Sequence, residues 1–395
     1  MTTASTPAGI KPSVTQTASG RIFNFSAGPG CLPEEVLQQI QTDVLNIGGS
    51  GIGILEHSHR GKVFDKVLAD AVENFRKISN LPKNYHVLFL TGGATAQNWM
   101  VPANLKPQDQ SADYITTGYW AEKSIEQAKF FGTVHEAATS KDKNHSYIPG
   151  EAQTKYSAKP AYVHFCSNNT IYGTEWHRIE NGKNTWHQRE PVAPTGVPVV
   201  CDMSSDIYAR PIDFTKYGLV YAGAQKNLGA AGTTVVVIRD DLANVKAREL
   251  PLMQQYATFA KDESRPNTPP VFAIYICGLV FKWILNQATA GRHCLDVIHE
   301  RNIRKAGHVY SVLDASGFYK GHAVPEARSL MNLTFRCPTP ELDDKFCKEA
   351  GAAGLDGMKG HRATGGMRAS MYNAMPEAGC KALADFMREF ERKNG

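Results

Sequence analysis

The sequence has no C-x-x-C pair, no His/Cys ladder at zinc-ligand spacing and no long apolar run. The first two absences argue against a zinc site or a dithiol redox motif. The third argues against a membrane-spanning helix, which needs about 18 or more consecutive apolar residues. Net charge is only +5 over 395 residues, so no broad basic field draws the chain to nucleic acid. Neither G-x-x-x-x-G-K-[ST] nor G-x-G-x-x-G occurs. The eight cysteines are scattered, most of them in apolar surroundings such as those of Cys166 and Cys277. They predict reduced, buried thiols in a cytoplasmic protein.

What is present suits a large α/β protein. At 42% hydrophobic residues, a chain of this length can bury a sizeable core. Residues 1–20 are rich in Thr, Ser, Ala and Pro and predict a disordered extension. A transit peptide would carry more arginine and an amphipathic pattern. From Pro33 a helix is expected, with Glu34 and Glu35 at its positive end, Val36, Ile40 and Val44 inward, and Gly48-Gly49 as its stop. Phe64, Leu68, Ala71, Phe75 and Ile78 fall at helical spacing. The apolar stretch Val271 to Leu285 is broken by Lys282 and reads as a core helix. Near residue 290 the pattern turns to α+β, predicting a large domain over 21–290 and a smaller one over 291–395.

The chemistry centres on residues 197–229. Two short apolar runs, Val197–Cys201 and Leu219–Gly223, suit buried parallel strands. Asp202 closes the first and Lys226 follows the second. Pyridoxal phosphate (PLP) enzymes need an acid against the pyridinium nitrogen and a lysine for the Schiff base. Singly, Asp202 also reads as a turn former and Lys226 as a surface charge. Small residues crowd this lysine, however, which permits close approach of a ligand. Upstream, strand Val87–Leu90 leads into Thr91-Gly92-Gly93-Ala94-Thr95. A strand, a glycine turn and a helix start can cradle a phosphate, or can serve packing alone.

The octet Ala222–Gly229 (AGAQKNLG), with Asp202-Met203-Ser204-Ser205 upstream, resembles the phosphoserine aminotransferases, a family of class-V, fold-type I PLP enzymes. Matching motifs run from about residue 21 to 395. The resemblance implies a large domain with a mainly parallel seven-stranded sheet sandwiched by helices, and a smaller C-terminal α+β domain. It implies a PLP-dependent transaminase of serine biosynthesis that moves an amino group between L-glutamate and 3-phosphohydroxypyruvate. The four-carbon phosphorylated 2-oxo acid of vitamin B6 synthesis is a further candidate substrate.

The same resemblance assigns roles. Lys226 would hold PLP and act as base, Asp202 would face the ring nitrogen, and Trp120 of Gly118-Tyr119-Trp120 would lie on the ring. Ala94, Thr95, Thr170 and Gln225 would complete the cofactor contacts. Asn267 and Thr268 of the N-T-P-P stretch would reach the phosphate of the other subunit of a homodimer. His59 and Arg60 of S-H-R-G-K, with His361 and Arg362, would bind the substrate's distal anion, and Arg368 its α-carboxylate. Ala27 and Ala94 depart from the family's usual Ser and Gly. His57 and His59 alternate as in a strand, but no acid or cysteine clusters near them to complete a metal site. The segment 176–195 reads as a polar hairpin without a catalytic role. Rival readings are an alanine–glyoxylate-type class-V aminotransferase, a cysteine desulfurase and a non-catalytic PLP-fold binding protein. A desulfurase needs a reactive cysteine in an exposed basic loop, and none is evident.

Overall fold

The computed structural model describes residues 19–180 and 183–395. The expected N-terminal extension therefore lies, up to residue 18, outside the described residues.

Seven strands form the main sheet: β1 (Tyr85–Leu90), β2 (Ser111–Thr116), β3 (Val134–Thr139), β4 (Pro160–Cys166), β5 (Val199–Asp202), β6 (Leu219–Gly223) and β7 (Thr234–Arg239). Their order across the sheet is β1-β7-β6-β5-β4-β2-β3. β7 runs antiparallel to both neighbours, and the other pairings are parallel. The expected strand at 197 begins instead at Val199. Pro198 has no N–H to give the ladder, so regular pairing starts after it.

Helices cover both faces. On one side lie α1 (Glu34–Asp43), α2 (Lys62–Ser79) and α5 (Val271–Leu285). Phe64, Leu68, Ala71, Phe75 and Ile78 of α2 are all buried, matching the helical spacing. Phe75 and Phe281 meet edge-on at 5.5 Å, a geometry worth about 0.5–1.5 kcal/mol beyond burial. On the other side lie α3 (Gly93–Leu105) and α4 (Tyr119–Ala128), with Met100, Val101, Leu105 and Ala128 in the core. Helix α1 stops at Asp43, short of the expected glycines, because Asn46 has already turned extended (φ −155°).

A third apolar cluster belongs to the C-terminal hundred residues. It joins α6 (Cys294–Ala315), α7 (Pro340–Ala352) and α8 (Glu377–Asn394) to a three-stranded sheet of 320–321, 332–336 and 367–370. Phe346 sits against Phe335, Phe386 and Phe390 at 5.0–5.6 Å. Phe23 and Phe25 pack into the same cluster. Phe25 N–H donates to the Asp356 carbonyl at 2.8 Å. The chain thus passes directly from this C-terminal core to Ala27 and Gly28, which border a cavity at the carboxyl ends of the sheet strands.

Among the described residues no helix is long and apolar enough to cross a membrane. None of their His, Cys, Asp and Glu side chains gather into a metal-binding group either. The stretch around His57 and His59 is turn, not strand.

Candidate active site

The carboxyl ends of parallel strands gather side chains that no ladder consumes. Here β1, β2, β4, β5 and β6 all deliver to one cavity of ≈ 340 Å³. Its walls include Ala94, Thr95, Trp120, Thr170, Asp202, Gln225, Lys226, His361 and Arg368.

Each is placed by a local necessity. After β1 the chain reverses at Gly92, whose φ of +90° a side chain would resist, and whose added Cβ would meet the Ala96 Cβ at 2.7 Å. Helix α3 then starts at Gly93 without a side-chain cap, and Gly93, Ala94 and Thr95 of its first turn line the cavity. Gly118 caps α4 and sets Trp120 in its first turn, 36% exposed at the cavity wall. Asp202 ends β5 beside Tyr221 of β6 and Cys166 of β4.

Asp202 is buried, and burial pushes its pKa up. The Ser204 N–H, donating at 2.9 Å, works against this, as do Lys226 and Tyr221. Lys226 donates to Thr170 Oγ1 at 2.9 Å. Burial lowers the Lys226 pKa, Asp202 raises it and Arg368 lowers it further. Arg368 is half-buried, and its Nε has no hydrogen-bond partner. His361 accepts from the Ala363 N–H at Nδ1, 3.2 Å away, and its ring meets Tyr119 at 5.7 Å.

These features fit PLP. A buried carboxylate lacking a cation beyond Lys226 suits a protonated ring nitrogen. A half-buried lysine with a lowered pKa suits an aldehyde. Free N–H groups at a thirteen-residue helix start suit a phosphate.

Five expected residues lie elsewhere. His59, Arg60, Asn267, Thr268 and Arg362 do not line this cavity. Arg60 and Pro266 instead border a separate surface hollow of ≈ 570 Å³, so the S-H-R-G-K and N-T-P-P stretches lie near each other. Arg362 is exposed in the loop that carries His361.

The sequence assigns no role to Asn98, Asn168, Ser204 or Ser205, and all four stand at the cavity. Ser204 is legible in principle: an Asp two residues before a Ser is an Asx-turn signal. Asn98 had only its position on the inner face of α3.

The family model for aminotransferase class-V matches residues 22–383. With the fold and cavity, this makes the chain a PLP-dependent, fold-type I aminotransferase of class V. Phosphoserine aminotransferases from Lysinibacillus sphaericus and Herpetosiphon aurantiacus are 48% and 47% identical to it, each over 95% of this chain and 99% of the relative. The phosphoserine aminotransferase structure from Bacillus circulans subsp. alkalophilus superposes with a TM-score of 0.88 at 41% identity, covering 95% of this chain and 99% of that one. The PLP-bound one from Trichomonas vaginalis gives 0.85 at 34% identity, with 93% and 100% covered. The chain belongs to the phosphoserine aminotransferase family. An alanine–glyoxylate aminotransferase from Nostoc, 14% identical with a TM-score of 0.70, shares the fold alone.

Proposed function

We propose that the chain transfers the amino group of L-glutamate to 3-phosphohydroxypyruvate, giving O-phospho-L-serine and 2-oxoglutarate in two half-reactions. The observation that carries this is the meeting of Lys226, Asp202, Thr170 and Trp120 with the hydrogen-bonding ring of His361 and the cation Arg368 in one cavity.

Bound PLP supplies an electron sink for the bond broken at the substrate's Cα. Asp202 would hold a proton at the ring nitrogen, and Ser204 and Tyr221 favour its ionised form. Lys226 would take the Cα proton and return it on the cofactor side. Burial favours the neutral amine that this requires. Thr170, 2.9 Å from Nζ, orients the lysine. Trp120 would cover the ring face, and the α3 N-terminus with Ala94 and Thr95 would receive the phosphate, while Gln225 lies beside Lys226. Arg368 would clasp the α-carboxylate as a bidentate fork. His361 and Arg362 would take the distal anion, either the phosphate or the glutamate side-chain carboxylate.

This reading includes a homodimer in which His59, Arg60, Asn267 and Thr268 complete the partner's site. Their position outside their own cavity supports it, as do the exposed Leu45 and Leu55 nearby in the chain. It also includes a division near residue 290, supported by the separate C-terminal apolar cluster. A cytoplasmic location fits eight cysteines with no disulfide among them.

The test is the visible spectrum of the purified protein on adding phosphoserine or, separately, L-alanine. A cofactor band that shifts with phosphoserine and not with alanine is expected. A band lost equally to both keeps the aminotransferase and removes the phosphate preference. No band after PLP is added would overturn the reading from Lys226 outward.

A further inference from the structure

Between the sheet and α3 and α4 lies an apolar layer that includes Leu90, Val200 and Val236 of the sheet and Met100, Val101 and Leu105 of α3. A polar string crosses it. His164 Nε2 lies 2.9 Å from the Tyr221 hydroxyl. That hydroxyl lies 3.4 Å from Asn98 Oδ1, which accepts from Ser124 Oγ at 2.8 Å. Ser124 Oγ is also 3.1 Å from the carbonyl of Trp120. His164, Tyr221, Asn98 and Ser124 are all buried. A polar string through a dry layer costs stability unless it serves something.

Its hydrogens can be assigned. Burial pushes the His164 pKa down to about 3, so the ring is neutral and carries one N–H. Nδ1 has no partner. An unpaired buried N–H is costly, so the proton sits on Nε2 and is donated to the Tyr221 oxygen. The Tyr221 O–H is then free to donate in turn. Asn98 Oδ1, at 3.4 Å, is a long contact for it. Asp202, paired with Tyr221 in register across β5 and β6, offers a carboxylate on the neighbouring strand, a stronger acceptor than an amide oxygen, and Tyr221 favours its ionised form.

We propose that Tyr221 is a positioning residue that holds the Asp202 carboxylate by an O–H donated from behind the site, and that His164 fixes the direction of that donor. The inference rests on Asp202 as the partner of the cofactor ring. The string also ties the acid to α4, the helix that carries Trp120, so both faces of the ring site share one support.

The experiment compares holoenzymes carrying Tyr221→Phe, His164→Leu, His164→Gln and Asp202→Asn. Two quantities are read: the dissociation constant for PLP, and kcat with KM in the phosphoserine half-reaction. Tyr221→Phe is expected to weaken PLP retention about tenfold and lower kcat roughly 10–100-fold, the usual scale for an outer partner of a site ligand, with KM changed less than about twofold. His164→Leu should follow it. His164→Gln, whose amide N–H can occupy the Nε2 position, should recover most of the loss. Equal impairment in the Leu and Gln variants would mean packing alone and overturn the proposal. So would parental PLP retention in Tyr221→Phe beside an impaired Asp202→Asn. A parental Asp202→Asn would overturn instead the reading of Asp202 on which this rests. If Tyr221→Phe fails to fold, the two His164 variants still decide.

Discussion

Asp202 and Asp206 are four residues apart and both buried, yet their surroundings differ in kind. Asp206 belongs to a cluster whose charges pair with one another within the fold. Its Oδ1 accepts from Ser167 Oγ at 2.5 Å and its Oδ2 lies 3.2 Å from Arg210 Nη2. Arg210 reaches Glu175 Oε1 at 2.9 Å and His177 Nδ1 at 2.6 Å. Glu175 Oε2 accepts from the Leu330 N–H at 2.7 Å, and His177 Nε2 sits 2.7 Å from the Arg328 carbonyl. The cluster thus bolts the hairpin after β4 to the C-terminal unit. Around Asp202 the cations are left open. Arg368 has no acidic partner among the described residues, and Lys226 is held only by a threonine hydroxyl and a distant field. Charges with structural work find protein partners. Charges with chemical work are buried short of partners, which is what a ligand then supplies.

Substitution at the open side should destroy chemistry and spare the fold. Lys226→Ala removes both the attachment point and the base. Transamination should fall roughly 10⁴-fold or more, the upper end for a positioned proton-transfer group. The cofactor band should change while the melting temperature of the cofactor-free protein does not. A variant that keeps the parental band would remove Lys226 from its role.

The arginines give the sharpest contrast. Arg210→Ala leaves two buried carboxylates facing each other and should cost about 3–5 kcal/mol of stability, as for any buried pair broken from one side. Arg368→Ala removes a cation that burial already disfavours. It should leave unfolding free energy within about 0.5 kcal/mol, and lower kcat/KM for phosphoserine by roughly 2–5 kcal/mol through the lost carboxylate clasp. Chemical denaturation and half-reaction kinetics on both variants measure this. Similar stability losses in the two would erase the distinction between the regions.

How far these regions were legible follows from the same distinction. Asp202 closes an apolar run and Lys226 follows one among small residues, which points toward a ligand, but the family octet was needed to separate them from a turn former and a surface charge. Trp120 and Thr170 needed family resemblance, since glycine turns and Asn/Thr turns serve structure as readily as ligands. The helices α2 and α5 were readable from spacing alone. The reversed direction of β7 was not, because a strand's residues carry no sign of which way it runs. Nor was the Tyr221–His164 contact: it depends on the order β4-β5-β6, set by crossovers far along the chain. The Arg210 cluster was invisible for the same reason, as its members come from residues 175, 177, 206 and 210 and meet only in space. His59, Arg60, Asn267 and Thr268 match the family's motifs, yet one chain's geometry puts them outside their own cavity.

The smallest effect tests whether the closed cluster is neutralised by a proton. Two carboxylates share one guanidinium, so one acid is favoured in its neutral form. Burial and the neighbouring Glu175 push the Asp206 pKa up to about 7, against 3.8 for the free group. The folded state therefore binds this proton more tightly than the unfolded chain does. Its contribution is fully present below pH 3.8 and is lost as pH rises through about 7. Asp206→Asn cannot ionise and should lack that slope. Between about pH 5 and 7 the variant should gain on the parent by about 2 kcal/mol, read as the difference in urea unfolding free energy at each pH. Asn still offers an oxygen to Ser167 or Arg210, so the comparison isolates charge from shape. A difference that stays constant with pH would show Asp206 already ionised across the window. The closed cluster would then carry an uncompensated negative charge, and its contrast with the open side would rest on geometry alone.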